Sequence, residues 1–205
     1  MRRLGPPALL ALPALCLALA GLLHPHHLTY DTSQRWFALH IPGLLVFPLV
    51  GVALAALVRL RTDLLAWGIR TTAYVYATFY TALDVISGVA AGYVTHELGP
   101  GVPRPEAVSL LFGIGTPLGE IGSWALLACG ALTVVDQVVR NAAPGAVALL
   151  LLAGAWLVHV GHIFAPEGVA GMALLALGTA GVALVDATRR KTPGRDATSG
   201  ASRAS

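Results

Sequence analysis

Hydrophobic residues fill this chain in six long runs, and short polar segments separate the runs. Each run is close to the roughly 20 apolar residues that a helix needs to cross a bilayer. The pattern therefore predicts an all-α integral membrane protein, a compact bundle of about six transmembrane helices in a single domain, residues 1–187. The predicted spans are residues 7–23, 39–60, 71–94, 118–139, 145–164 and 168–187.

A seventh, shorter apolar segment lies between the third and fourth runs, from Pro105 to Gly115. It holds about ten apolar residues, which is too few to cross a bilayer. Pro105 suits the first position of a helix, because proline lacks only an N–H that would be unpaired there. We therefore predict a short interfacial or re-entrant helix at this point.

Composition supports the membrane assignment. Of the 205 residues, 56% are hydrophobic and only 11% are charged, whereas soluble domains carry about 25% charged residues. So few charges cannot cover a globule with a hydrated surface, and the lipid bilayer is the predicted partner. The scattered arginines form no nucleic-acid-binding patch. A single lysine among 13 basic residues, with abundant Ala, Gly, Leu and Pro, indicates a GC-rich bacterial genome. The predicted location is the bacterial cytoplasmic membrane.

Basic residues orient membrane helices because they are retained on the cytoplasmic side. With the N-terminus inside, eleven basic residues fall on the inner side and two on the outer side, which predicts that both termini are cytoplasmic. The inner set is Arg2, Arg3, Arg59, Arg61, Arg70, Arg140, Arg189, Arg190, Lys191, Arg195 and Arg203, and the outer set is Arg35 and Arg104. The basic tail, residues 188–205, has few apolar residues to bury and is predicted to be disordered. The first helix is either retained or removed as a signal peptide.

This orientation places all seven histidines on the outer side or in the outer part of a helix. His40, His159, His162 and Glu120 are predicted at one level, and His159 and His162 should share a helix face at spacing i, i+3. Imidazole and carboxylate are ligands of zinc, copper and iron, and two histidines can ligate a haem. His24 opens a histidine-rich tract that also suits metal capture. The alternative is a set of interfacial imidazoles that bond water, headgroups or backbone.

Asp84 is the most deeply placed charge, roughly 15 Å below the predicted outer end of its helix. An ionised carboxylate at such a depth costs at least about 2.5–3.5 kcal/mol. Tyr76, Tyr80, Asp84 and Gly88 follow an i, i+4 row, so this polar face should pack inward. Asp84 and Tyr80 are therefore functional candidates, and the alternative is a structural hydrogen bond between helices.

Sequence motifs of conventional catalysis are absent: there is no His-Glu-x-x-His, Gly-x-Ser-x-Gly, Walker loop or Cys-x-x-Cys. The sequence therefore favours a chain without catalytic chemistry of its own, an accessory or structural component beside other membrane subunits. Three alternatives stay open. They are an outward-facing metal- or haem-binding, redox-associated protein, a proton-coupled transporter that uses Asp84, and a metal-dependent lipid-modifying enzyme.

Overall fold

The fold is helical throughout the part of the chain that the computed structural model describes, residues 5–103, 105–140 and 145–190. Of these residues 86% are helical and none is in a strand, which confirms the predicted all-α class. The elements are α1 (Gly5–Leu23), α2 (Tyr30–Leu57), α3 (Leu64–Leu83), a π-helical segment (Asp84–Ala90), α4 (Ala91–Glu97), α5 (Glu106–Val139), α6 (Gly145–Gly161) and α7 (Glu167–Arg190).

Within the described ranges, four helices are long and apolar enough to cross a membrane, which indicates a multi-pass membrane protein. They are Tyr30–Leu57, Leu64–Glu97, Glu106–Val139 and Glu167–Arg189. The second of these is one continuous helix made of α3, the π segment and α4. Two further apolar helices, α1 and α6, are shorter. A count of six spans therefore stays a prediction.

The helices pack in a closed ring that follows chain order. Each of α1, α2, α3, α5, α6 and α7 packs against the next, and α7 returns to α1. Small residues permit the close approaches, as is common where lipid surrounds a bundle. A Cβ on Gly154 would lie 2.7 Å from the Gly171 carbonyl oxygen of α7, and one on Gly130 of α5 would lie 3.3 Å from the backbone of Leu152. The ring encloses a core in which Phe47 is buried.

The predicted short helix between Pro105 and Gly115 is not a separate element. It is the first part of α5, which runs without interruption to Val139. Pro105 is the N-cap of this helix, and Pro117 lies inside it. An internal proline removes one backbone hydrogen bond and bends a helix more readily than it ends one, provided that neighbouring helices support both halves.

The second predicted helix also starts earlier than expected, at Tyr30 and not at residue 39. The reason is local capping, since the Thr29 backbone N–H donates to Thr32 Oγ1 at 2.9 Å and Thr29 is the N-cap. His40 therefore lies about three turns into α2 and not at its beginning.

The last helix extends further than expected, because α7 continues to Arg190. Residues 188–190, which were predicted to begin the disordered tail, are therefore helical. None of these three residues is a Gly or a Pro that would end the helix. The rest of the predicted tail, residues 191–205, lies outside the described residues. So do three further basic residues of the orientation analysis, Arg2, Arg3 and Arg104.

An ion network joins the α2–α3 loop to α5 and α7. Arg61 pairs with Asp63 at 2.8 Å and with Asp136. Arg140 pairs with Asp136 at 3.2 Å and with Asp186 at 3.1 Å. Asp136 is buried and contacts two arginines, so its charge is compensated by direct hydrogen bonds. Three of the candidate spans are thereby held together at one end of the bundle.

We expect Asp136→Asn to lower the free energy of unfolding by about 3 kcal/mol, because it leaves two arginines without their shared carboxylate. Asp186→Asn should lower the free energy of unfolding by less, since among the described residues Asp186 pairs with one arginine, Arg140. Asp31→Asn, at an exposed position, is the control and should be close to neutral. Thermal unfolding of the purified variants in nanodiscs measures the order, and equal losses for Asp136 and Asp186 would contradict it.

Candidate functional site

Asp84 is the first residue of the π segment and is only 2% exposed. Among the described residues, neither of its carboxylate oxygens has a hydrogen-bond partner. The nearest basic group is His40, whose Nε2 lies 3.8 Å from Asp84 Oδ1. Single π turns inside α-helices occur frequently at functional sites. The predicted inward-facing row is buried in full, since Tyr76, Tyr80 and Gly88 are buried as well.

His40 is held in a fixed orientation by its own helix and by the π segment. Its Nδ1–H donates to the Trp36 carbonyl oxygen at 2.6 Å, which leaves Nε2 pointing toward Asp84. The Trp36 indole N–H in turn donates to the Ser87 carbonyl oxygen at 3.0 Å. A Cβ on Gly88 would overlap the His40 ring. The position of the His40 imidazole therefore depends on Gly88 and on the Ser87 carbonyl group of the π segment.

His24, which follows α1, completes the arrangement. Its Nδ1–H donates to the Pro25 carbonyl oxygen at 2.7 Å, and its Nε2 lies 3.4 Å from His40 Nε2. A carbonyl oxygen only accepts, so both histidines carry the proton on Nδ1 and, when neutral, an unprotonated Nε2. Two nitrogen lone pairs thus face each other beside a buried carboxylate. We call these three residues, His24, His40 and Asp84, the His–His–Asp cluster.

The His24 imidazole is neutral at neutral pH. Burial and, to a smaller extent, the neighbouring His40 lower the pKa of His24 to about 4, although the hydrogen bond to Pro25 opposes the shift. A proton shared between the two rings is therefore disfavoured at pH 7.

A cavity of about 290 Å³ lies between α2, the π segment, α5 and α6, against one side of the cluster. Its polar lining includes His40, Tyr80, Asp84, Ser87, Glu120 and His159. A second cavity of about 260 Å³ lies on the α1–α2 side and is mainly apolar, and His24, His40 and Asp84 line it too. His40 and Asp84 therefore separate the two cavities. No Arg or Lys is among the lining residues of either one in the described chain.

The predicted face shared by His159 and His162 is wrong. Helix α6 ends at Gly161, and His162 takes a left-handed conformation with φ of 50°. His162 Nδ1 consequently bonds the Tyr80 hydroxyl at 3.0 Å, whereas His159 Nδ1 bonds Ser123 Oγ at 2.8 Å. The two imidazoles have separate partners.

Glu120 was predicted near the outer end of a helix, but it lies near the middle of α5. The reason is that the predicted short helix before it is part of α5. Its side chain is exposed, and it contributes to the lining of the larger cavity. Across the described ranges, no group of three or more His, Cys, Asp or Glu side chains is placed so that it could hold a metal ion as it stands. Of the four predicted metal or haem candidates, the structure brings only His24 and His40 within 3.4 Å of each other.

Two glycines shape the site: the sequence pattern places Gly88 in the polar row of Asp84, but it does not single out Gly43. A Cβ on Gly43 would lie 2.8 Å from Asp84 Oδ2, and Gly88 makes room for His40. Each sits one turn from a cluster residue, Gly43 at i+3 from His40 and Gly88 at i+4 from Asp84. That spacing is a signal, although 23 glycines in the chain obscure it.

We expect Gly88→Ala and Gly43→Ala to destabilise the protein by about 1–3 kcal/mol each, because the added methyl overlaps His40 or Asp84. Gly113→Ala in α5 is a matched control. Nothing lies within 4 Å of the added Cβ there, so higher helix propensity should make it neutral or up to about 1 kcal/mol stabilising. Thermal unfolding separates the two classes, and a stabilising Gly88→Ala would show that the His40 ring is not confined as described.

We also expect stability to fall as the pH drops from about 6.5 to 4. In this window unfolded His24 binds a proton and folded His24 does not, so the unfolded state binds more protons. The loss attributable to His24 should reach about 3 kcal/mol and stop growing below pH 4. His24→Gln should remove this component. Unfolding of both proteins across the pH range gives the difference, and parallel profiles would refute the buried neutral imidazole.

Comparison with known proteins identified no matching family model, no similar curated protein and no similar solved structure. The features that bear on function are those of the site itself: a buried carboxylate, two imidazoles that face each other, and the cavities on either side of them.

Proposed function

We propose that this chain is a multi-pass membrane protein that binds a cation at the His–His–Asp cluster. The observation that carries the proposal is the Asp84 carboxylate, which is buried and has no hydrogen-bond partner among the described residues. The proposed protein is a bundle of six spans in the bacterial cytoplasmic membrane, with both termini on the cytoplasmic side. The excess of basic residues on one side supports this topology, which puts the cluster in the outer half of the bilayer.

Energetics favour a cation over a structural role for Asp84. A buried charge costs several kcal/mol unless it is paired or hydrogen-bonded. The nearest group, His40 Nε2, is an acceptor in the neutral tautomer and cannot donate to the carboxylate. A structural aspartate that joins segments of the bundle would bond a donor on a neighbouring segment, as Asp136 does with Arg61 of the α2–α3 loop. A bound cation supplies the positive charge that the surrounding side chains lack.

Access to the cluster is provided by the 290 Å³ cavity, which reaches His40 and Asp84 from the side of α5 and α6. Its lining carries two acidic side chains, Asp84 and Glu120, and, among the described residues, histidines but no Arg or Lys. A cavity with this balance of charge attracts cations and repels anions.

Proton-coupled transport is the second candidate, since a proton is also a cation. The supporting observation is Tyr76, whose hydroxyl is buried without a partner among the described residues. Its ring centroid lies 5.1 Å from that of Tyr80, in the row that leads to Asp84. An accessory component without ligands would leave the unpartnered Asp84 carboxylate unexplained, and a metal-dependent lipid-modifying enzyme, with Asp84 or Glu120 as its acid or base, would first require a bound metal.

The test is the thermal unfolding of tag-free protein in nanodiscs, titrated with Na⁺, Mg²⁺, Zn²⁺ and tetramethylammonium at fixed pH. We expect at least one cation to stabilise the native chain, by about 2.7 kcal/mol at one hundred times its dissociation constant. Asp84→Asn should abolish this stabilisation, since the amide keeps the shape and removes the charge.

Asp31→Asn is the matched control, because it removes an exposed carboxylate and should leave the cation response intact. If no cation stabilises the native chain, or if Asp84→Asn responds as the native chain does, cation binding at the cluster is wrong. Stabilisation by protons alone, lost in Asp84→Asn, would favour the transport candidate.

A further inference from the structure

We propose that the cation is a divalent transition-metal ion of the zinc and copper type, bound by His24 Nε2, His40 Nε2 and the Asp84 carboxylate. This inference rests on the proposed cation-binding function and specifies its ligand class. Two imidazoles and one carboxylate form a mixed nitrogen and oxygen set that zinc, copper and iron accept. Magnesium and calcium prefer oxygen ligands alone.

The spacing of the two nitrogens carries the assignment. Zinc–nitrogen bonds are about 2.0–2.1 Å long, so two imidazoles on one tetrahedral ion hold their nitrogens about 3.3–3.4 Å apart. The observed separation of His24 Nε2 and His40 Nε2 is 3.4 Å. Both atoms are acceptors when the rings are neutral, so no hydrogen bond accounts for their approach.

The outer contacts of the two rings have the form seen at metal sites. A metal-bound histidine nearly always donates its other ring N–H to a backbone carbonyl, a carboxylate or water, which fixes the tautomer and the ring plane. His24 donates to the Pro25 carbonyl oxygen at 2.7 Å, and His40 donates to that of Trp36 at 2.6 Å. Both imidazoles therefore already hold the tautomer and orientation that ligation requires.

Asp84 supplies the third ligand by a movement of its side chain. Its Oδ1 lies 3.8 Å from His40 Nε2, so the three groups are not yet a finished site. Rotation of the carboxylate breaks no hydrogen bond, because neither oxygen has a partner among the described residues. Gly43 leaves the space beside Oδ2 that a side chain would fill.

Three protein ligands leave one position of a tetrahedral ion open, as in catalytic zinc sites, whereas structural zinc sites use four. The 290 Å³ cavity lies against His40 and Asp84, so a small ligand can reach that position. Haem is a poorer fit. Its macrocycle would have to lie between the two facing nitrogens, and the Trp36 ring already packs on both imidazoles, with centroids 4.5 and 5.4 Å away.

Zinc is the probe for the test. Tag-free full-length chain in nanodiscs competes for Zn²⁺ with a chromogenic chelator, and elemental analysis gives the ratio of metal to protein. We expect one zinc per chain at the cluster. His24→Asn and Asp84→Asn should each weaken zinc binding at least about tenfold, because each removes a ligand.

A His26→Asn, His27→Asn double variant is the control, since these two histidines lie in the same loop as His24 and are exposed. It should bind zinc within about twofold of the native chain. His24 follows α1 in a loop, so its variant tests the site even if a His40 variant does not fold. Cobalt in place of zinc should give the strong visible absorption of a four-coordinate ion, which His24→Asn should abolish.

The two proposals can fail separately. Zinc binding that survives His24→Asn and Asp84→Asn, or that depends on His26 and His27 instead, would overturn the metal site. If zinc does not bind but another cation stabilises the chain in an Asp84-dependent manner, the metal assignment is wrong and cation binding stands. If no cation acts through Asp84, both proposals are wrong.

Discussion

The desolvated carboxylate of Asp84 is the constraint around which this part of the bundle is organised. An aspartate between packed helices needs room for its carboxylate and a defined neighbour. Gly43 leaves that room on α2. The π segment that begins at Asp84 presents the Ser87 carbonyl oxygen to the Trp36 indole, and Trp36 in turn accepts the Nδ1–H of His40. The position of the histidine beside the acid thus follows from the backbone geometry at the acid itself.

The chain treats its buried acids in two contrasting ways. Asp136 is as buried as Asp84, yet two arginines bond it directly. Asp186 is paired as well. These carboxylates join helices, and their pairing explains why they are tolerated. Among the described residues, Asp84 has no such partner, and the unprotonated Nε2 of His40 lies 3.8 Å from its Oδ1. Because the same protein provides full compensation elsewhere, the missing partner at Asp84 is better explained by binding than by imperfect packing.

The sequence predicts the helical fold and the burial of Asp84 because both depend on local properties. Apolar runs specify membrane helices, and the i, i+4 row from Tyr76 to Gly88 specifies a buried polar face. Helix ends were harder to predict, because the Thr29 cap and the tolerated Pro117 lie in polar or ambiguous segments. The pairing of His24 with His40 could not be predicted from local pattern at all. The two histidines are sixteen residues apart in the chain, and their contact depends on how the end of α1 packs against α2.

That pairing also explains how binding at the cluster would act on the fold as a whole. His40 and Asp84 lie on continuous helices, whereas His24 comes from the loop that follows α1. Helix α1 closes the ring between α7 and α2. A cation held by all three residues would tie the end of α1 to α2 and to the π segment, across the closure of the ring. Binding would therefore stabilise the closed bundle, and loss of the ion would loosen the ring first at α1, beside the apolar cavity that His24 lines.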